Sequence, residues 1–270
     1  MTDTPTIAFP FTDYGGDGPV VLALHGHFGS ARAFAGLARQ LGDAIRLIAL
    51  DQRGHGQARK RQTYAPEDYV ADAAAFVEEQ GLAPAVVLGH SMGGVIAYTL
   101  AATRPELVRA VIVEDAPAFV PEATLDVRSW PTRAPSLREL GEAIEAQGLP
   151  DASYFLESAV RYADGWGLAF DAEEMMRSQA QLVGDRWDAW LAVEQPLLLL
   201  HGTESIVLDT DHAHEMVERR PQTRYREFAG RGHWIHDDDA AGVAEAIASF
   251  VGELEDGAVD ARATTAEARP

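Results

Sequence analysis

The chain of 270 residues contains no cysteine and a single lysine, Lys60. The absence of cysteine excludes a disulfide framework and any catalytic thiol. No apolar run approaches the length of a membrane span. The first residues lack the basic and apolar regions of a secretory signal peptide. We therefore expect a cytoplasmic protein with no membrane association.

Positive charge is scarce, because 22 arginine and lysine residues stand against 42 aspartate and glutamate residues, a formal net charge of -20. Such a surface repels nucleic-acid phosphates and anionic lipids, so we expect neither as a partner. Apolar residues make up 47% of the chain, enough for one large core with an inserted subdomain.

Short apolar strands alternate with helical segments along most of the chain. The expected strands cover 20–24, 45–50, 86–88, 111–113, 196–200 and 223–228. Strands that are apolar throughout and alternate with helices are typical of a parallel sheet covered on both faces. We therefore predict an α/β fold with a mostly parallel central sheet flanked by helices.

This alternation stops between residues 119 and 191, where prolines and aromatic residues accompany short amphipathic segments. We interpret 119–191 as a helical cap inserted into an α/β core formed by 1–118 and 192–253. From residue 254 the chain is small, polar and acidic, so 254–270 is predicted to be a disordered tail.

The strongest chemical signal is Gly89-His90-Ser91-Met92-Gly93, which follows an apolar stretch and precedes a helical one. This Gly-x-Ser-x-Gly order is typical of a nucleophile elbow, a tight strand-to-helix turn that lifts the serine out of the sheet. The two glycines keep the positions on either side small. Ser91 is therefore the candidate nucleophile, beside helix N–H groups that can stabilise an oxyanion.

A serine nucleophile needs a base within hydrogen-bond reach, and the base needs an acid that orients it. His233 follows the last expected strand and precedes the last expected helix, on a loop with Gly230 and Gly232. In a parallel sheet this position lies at the same edge as the elbow. His233 is therefore the candidate base, and His236 is expected at the surface.

Four motifs in this order resemble the α/β-hydrolase family, over about residues 18–252. They are the segment 25–30, the turn 51–56, the elbow and the loop around His233. The likeness is to small bacterial serine esterases, lactonases and C–C hydrolases with a helical cap. It implies an oxyanion hole made by the backbone N–H groups of His27 and Met92, structural roles for His25 and Arg53, and no cofactor. We expect no metal site either.

The position of the acid is open. Many members of the family carry an aspartate three residues after the His-Gly pair of the following strand, where this chain has Ser205. A minority use an acid at the end of the strand after the nucleophile helix, and Asp115 resembles that spacing. Asp115 is therefore the leading candidate. The alternatives are Glu114, Glu204 and Asp209.

The predicted reaction is hydrolysis of a carboxylic ester or lactone through an acyl-enzyme on Ser91. Aromatic residues of the cap, with Phe28 and Trp234 near the mouth, favour a small and moderately hydrophobic substrate. Cleavage of a C–C or amide bond, or cofactor-free oxygen chemistry, would use the same residues on the same fold. A ligand-binding sensor on a hydrolase scaffold is a further alternative. Either a monomer or a homodimer is expected.

Overall fold

A computed structural model describes residues 9–58, 61–123, 125–149 and 151–267, with the backbone alone for 258–267. The strands are β1 (Phe11–Asp13), β2 (Val20–Leu24), β3 (Arg46–Leu50), β4 (Ala85–His90), β5 (Val108–Glu114), β6 (Phe119–Val120), β7 (Ala159–Tyr162), β8 (Gly165–Leu168), β9 (Gly184–Asp185), β10 (Leu197–Gly202) and β11 (Arg224–Phe228). The α-helices are α1 (Ala35–Leu41), α2 (Pro66–Glu79), α3 (Met92–Thr103), α4 (Leu137–Glu145), α5 (Ser153–Glu157), α6 (Ala172–Leu182), α7 (Trp187–Leu191), α8 (Thr210–Arg219), α9 (Ile235–Asp238) and α10 (Ala240–Glu267).

The central sheet has the strand order β1-β3-β2-β4-β5-β10-β11. β1 runs antiparallel to β3, and every other neighbouring pair is parallel. His90 of β4 lies opposite Glu114 of β5, which in turn lies opposite Leu200 of β10. The loops that follow these strands therefore meet at one edge of the sheet. The predicted α/β fold with a mostly parallel sheet is confirmed.

Both faces of the sheet are covered, which explains why its strands are apolar throughout. Side chains alternate along β2, so that Leu22 and Leu24 pack in the core with α2 and α3. Val21 and Ala23 point to the other face and pack in the core with α1 and α10. This two-sided burial is what a parallel sheet between helical layers requires.

The segment 119–191 is mixed in structure, whereas the sequence predicted a helical cap. It contains α4 to α7 together with the hairpin β7–β8 and the antiparallel pair β6–β9. Tyr162 pairs with Gly165 across the two residues Ala163 and Asp164, and Gly165 has a φ of 140° that favours glycine. The short turn lets residues 159–168 form a β-hairpin, so this part of the cap is not helical. The domain boundaries at 118/119 and 191/192 stay a prediction.

The final helix is longer than predicted. α10 continues through Glu267, where the sequence predicted a disordered tail from residue 254; residues 268–270 lie outside the described part. The residues involved include alanine, glutamate and arginine, which favour helix. Arg109 of β5 also donates to Leu254 O at 2.9 Å and pairs with Glu255, which ties the helix to the sheet. Among the described helices, none combines the length and hydropathy needed to cross a bilayer.

Candidate active site

Ser91 occupies a strained turn between β4 and α3. Its φ of 54° and ψ of -122° are rare for a residue other than glycine. A Cβ on Gly89 would lie 2.1 Å from Gly93 O, and a Cβ on Gly93 would lie 2.0 Å from Leu24 O. Neither position has room for a larger residue. The turn is held by a hydrogen bond of 2.9 Å from Ser91 N to Glu114 O.

The sheet edge brings His233 and Asp115 together. His233 Nδ1 donates to Asp115 Oδ2 at 2.6 Å, and both side chains are buried. Asp115 follows β5 directly and has a left-handed φ of 50°, a second strained residue at this edge. His233 lies in the loop after β11 and lines the same cleft as Ser91.

Asp115 is surrounded by donors. Besides His233, Gly202 N donates to Oδ1 at 3.3 Å, His201 Nδ1 donates to the same oxygen at 3.3 Å, and Ser205 Oγ donates to Oδ2. Burial alone would raise the pKa of Asp115, but the hydrogen bonds from His201, His233 and Ser205 lower it below its usual value. A buried carboxylate held in its ionised form can orient an imidazole and stabilise its charged state.

Sequence reasoning missed His201 and Ser205 as partners of the acid. A signal existed for Ser205, because it occupies the position where many members of the resembled family carry an aspartate. In the structure, the Ser205 hydroxyl reaches back to the carboxylate that approaches from β5 instead. Its oxygen also accepts from the N–H groups of Val207 and Leu208, at 3.0 and 3.1 Å, so the hydroxyl is firmly placed.

The alternative acids have other partners. The Glu114 side chain accepts from His236, through N at 2.8 Å and Nδ1 at 2.7 Å. Asp209 caps α8 by accepting from His212 N at 2.8 Å, and Glu204 is exposed. The expectation that His236 lies at the surface is wrong. Its side chain is fully buried, and Glu114 accepts the hydrogen bond of its Nδ1.

Of the two residues expected to form the oxyanion hole, His27 lines the cleft and Met92 directly follows Ser91. Met92 begins α3, so its N–H has no acceptor within the helix. His27 lies in the loop after β2, beside Phe28 with its φ of 68°. The His27 ring binds Ser178 Oγ of α6 at 2.9 Å through Nε2, and burial lowers its pKa to about 3. The neutral ring therefore anchors this loop to the cap.

His25 and Arg53 connect loops. His25 Nε2 accepts from Gln52 N at 3.1 Å, and its Nδ1 donates to Gly26 O at 2.7 Å. Arg53 Nε donates to Asp72 of α2 at 2.8 Å. Neither side chain is among those that line the cleft.

Ser91 and His233 both line one narrow cleft. Phe28 and Trp234, which the sequence assigned to the pocket, both line it. The other lining residues are apolar or neutral and polar: His27, His90, Leu125, Gln179 and Ile206. Among the described residues of the chain, no arginine or lysine side chain lines this cleft.

Known proteins with similar sequences include two hydrolases. A 2-(acetamidomethylene)succinate hydrolase of Mesorhizobium japonicum is 28% identical, over 87% of this chain and 89% of its own length. The esterase YbfF of Escherichia coli is 25% identical, over 87% of this chain and 93% of its own length. Both similarities span nearly the whole chain.

Solved structures agree on the fold. The crystal structure of E-2-(acetamidomethylene)succinate hydrolase superposes with a TM-score of 0.79 at 24% sequence identity, covering 91% of this chain and 100% of the other. The sequence model of the alpha/beta hydrolase family matches residues 20–246. The chain therefore belongs to the alpha/beta hydrolase family and is an enzyme of the hydrolase class.

Proposed function

We propose that the protein hydrolyses a carboxylic ester or lactone, with Ser91 as nucleophile, His233 as base and Asp115 as the orienting acid. The observation that carries this proposal is the 2.6 Å hydrogen bond between His233 Nδ1 and Asp115 Oδ2 at the sheet edge. The strained turn presents Ser91 at the same edge, and Ser91 and His233 face one cleft.

The reaction has two halves. Ser91 Oγ attacks the carbonyl carbon while His233 accepts the hydroxyl proton, and the N–H groups of His27 and Met92 stabilise the oxyanion. His233 then protonates the leaving alkoxide, which leaves the acyl group on Ser91. Water, deprotonated by His233, attacks this ester, and His233 returns the proton to Ser91 Oγ as the carboxylic acid leaves. Asp115 stays ionised throughout and stabilises the imidazolium.

The cleft favours a neutral substrate with an apolar acyl group. Its walls combine Phe28, Leu125, Ile206 and Trp234 with neutral polar side chains. A succinate, named as the substrate of the Mesorhizobium relative, carries two carboxylates, for which arginine or lysine is the usual partner. Neither residue type lines the cleft within the described chain. We therefore propose neutral esters rather than dicarboxylates.

The test is hydrolysis of 4-nitrophenyl acetate, butyrate and octanoate, with the 4-nitrophenyl monoester of succinate as the charged counterpart of butyrate. We expect kcat/KM for butyrate to exceed that for the succinate monoester by about 10-fold or more, because a carboxylate without a partner is costly to bury. Ser91→Ala should lower kcat by at least about 1,000-fold. Equal turnover by wild type and Ser91→Ala would refute the nucleophile, and a preference for the succinate ester would refute the substrate class.

A further inference from the structure

A second carboxylate–imidazole pair lies behind the proposed triad. Glu114 and His236 are fully buried, and the backbone N–H and ring Nδ1 of His236 both donate to Glu114 Oε1. The reaction proposed above does not use either side chain. We propose that this pair positions His233, by holding its loop against the end of β5 and by keeping the charge behind it balanced. The inference rests on the proposed function, since it concerns how His233, the proposed base, is positioned.

Glu114 connects the separate parts of the site. Its backbone carbonyl accepts from Ser91 N at 2.9 Å, and it immediately precedes Asp115. Its side chain holds His236, three residues after His233. Glu114, at the end of β5, thus binds the elbow through its backbone carbonyl and directly precedes the proposed acid, Asp115. Its side chain binds His236, in the same loop as the proposed base, His233. A shift of Glu114 would move all three.

His90 lies between the two imidazoles. Its ring centroid is 4.6 Å from that of His233 and 4.8 Å from that of His236. Its Nε2 donates to the backbone carbonyl of His233 at 3.0 Å. Burial, followed by the proximity of the other two rings, lowers the pKa of His90 well below 6.5, so the ring is neutral. His90 therefore supports His233 without adding a charge.

Carboxylates surround His236. Burial alone would lower the pKa of His236, but Glu114 together with Asp237 and Glu157 raises it to about 9. The second ring nitrogen, Nε2, lies 3.9 Å from Asp237 Oδ1 and has no hydrogen-bond partner among the described residues. Tyr154 of α5 also packs against His236, and burial raises its pKa, so it is neutral.

This arrangement predicts an effect on the base. A protonated His236 offsets the charge of the Glu114 carboxylate that it binds. Removing the imidazolium leaves an unbalanced buried carboxylate behind His233, and a nearby negative charge favours the protonated form of an imidazole. His233 would then be available as a base only at higher pH.

The experiment is a double-variant cycle on the full-length enzyme with 4-nitrophenyl butyrate. For His236→Gln we expect kcat to fall about 10-fold or more with KM within threefold, and the acid limb of the pH–rate profile to move up by at least about half a pH unit. In Glu114→Gln/His236→Gln, which removes both charges, the limb should return to its wild-type position and kcat should recover at least partly. A purely structural pair would lower kcat without moving the limb.

The matched control is the exposed pair His214–Glu227, whose side chains lie 3.8 Å apart on α8 and β11. His214→Gln should leave kcat and the pH profile unchanged. The charge state of His236 is measured independently, by ¹⁵N spectra of histidine-labelled protein at pH 7.5. Wild type should give a cationic imidazole signal that is absent from His236→Gln and from Glu114→Gln.

The outcomes separate this inference from the proposed function. If the wild type neither hydrolyses esters nor reacts at Ser91, the proposed function fails, and the ¹⁵N spectra then decide whether the ionised pair exists. A neutral His236, or an acid limb unmoved in His236→Gln, would overturn the inference. So would a metal ion bound stoichiometrically by His90, Glu114 and His236, whose candidate ligand atoms lie within 4.8 Å of one another.

Discussion

In the proposed mechanism Asp115 orients the base, because its carboxylate accepts the hydrogen bond of His233 Nδ1. Asp115→Asn keeps the shape but offers an amide that can hold the wrong imidazole tautomer, so we expect kcat to fall by about 10,000-fold. Steady-state kinetics with 4-nitrophenyl butyrate measure the change. Asp209→Asn, at the exposed cap of α8, should stay within about twofold of wild type. Activity above a tenth of wild type in Asp115→Asn would move the acid elsewhere.

The contact between Ser205 and Asp115 predicts that the acid can be relocated. In Asp115→Ser/Ser205→Asp, the carboxylate would approach His233 from the loop after β10 while a hydroxyl takes its former place. We expect kcat at least about 10-fold above that of Asp115→Ser alone, since a carboxylate near Nδ1 restores the tautomer. Asp115→Ser/Thr203→Asp is the matched control for an added charge. No difference between the two double variants would contradict the geometry.

Single residues were predictable from sequence to different degrees. Ser91 and His233 each stand in a recognisable local motif, so the residues around them were enough to predict them as candidates. In the structure Asp115 binds His233, whereas the adjacent Glu114 binds His236. The spacing of these residues along the chain does not predict which acid binds which histidine. His236 was misassigned to the surface because its burial depends on Glu114, a partner distant in the sequence.

At the scale of elements, the β4–α3 turn depends on close backbone approach. Gly93→Ala would place a Cβ 2.0 Å from Leu24 O, so we expect a free energy of unfolding lower by more than about 2 kcal/mol, with loss of the proposed esterase activity. A Cβ on Gly252 in α10 would have no atom within 4 Å, so Gly252→Ala should instead raise the free energy of unfolding by about 0.5–1 kcal/mol. Urea unfolding measures both. Equal effects of the two variants would contradict the packing described for the turn.

The strands of the sheet were easier to predict than the elements of the cap. Burial on both faces gives β2 to β5 and β10 continuous apolar runs, which stand out in the sequence. The hairpin β7–β8 is only partly buried, so its composition is mixed and its identity depends on the short turn before Gly165. The final helix was truncated in the prediction because the bonds from Arg109 to Leu254 and Glu255 come from a distant strand.

At the scale of the whole molecule, buried neutral histidines lower the stability of the fold at acidic pH. Burial lowers the pKa of His25 to about 4, of His27 and His55 to about 3, and of His90 well below 6.5. The unfolded chain binds more protons at these sites below pH 6.5, so stability falls as pH falls through that value. Each of these histidines lowers the free energy of unfolding by roughly 1 kcal/mol for each pH unit below pH 6.5.

His236 and Glu157, whose pKa values are raised to about 9 and about 7, act in the opposite direction but do not outweigh the four histidines with lowered pKa values. We therefore expect the midpoint of thermal unfolding, followed by circular dichroism, to fall by about 5 °C between pH 6.5 and pH 5.5. His214, which is exposed, should not contribute, so His214→Gln should show the same dependence as wild type. A midpoint that is constant or rises over this interval would contradict the lowered pKa values of these four histidines.

The overall architecture followed from the sequence because strand burial and the four motifs agree on one topology, and the family match over residues 20–246 confirms it. The chemistry of the cleft did not follow, because its lining residues come from β4, α6 and several loops that only the fold assembles. The neutral character of that lining is a property of the folded molecule, and the net charge of -20 gives no hint of it.

The central claim is that Ser91 is an activated nucleophile, and fluorophosphonate labelling followed by intact-protein mass spectrometry tests it most directly. We predict one adduct per chain, located on the peptide that contains Ser91, absent from Ser91→Ala and formed at least about 100-fold more slowly in His233→Gln. An adduct that persists in Ser91→Ala, or a wild type that forms none, would contradict the account.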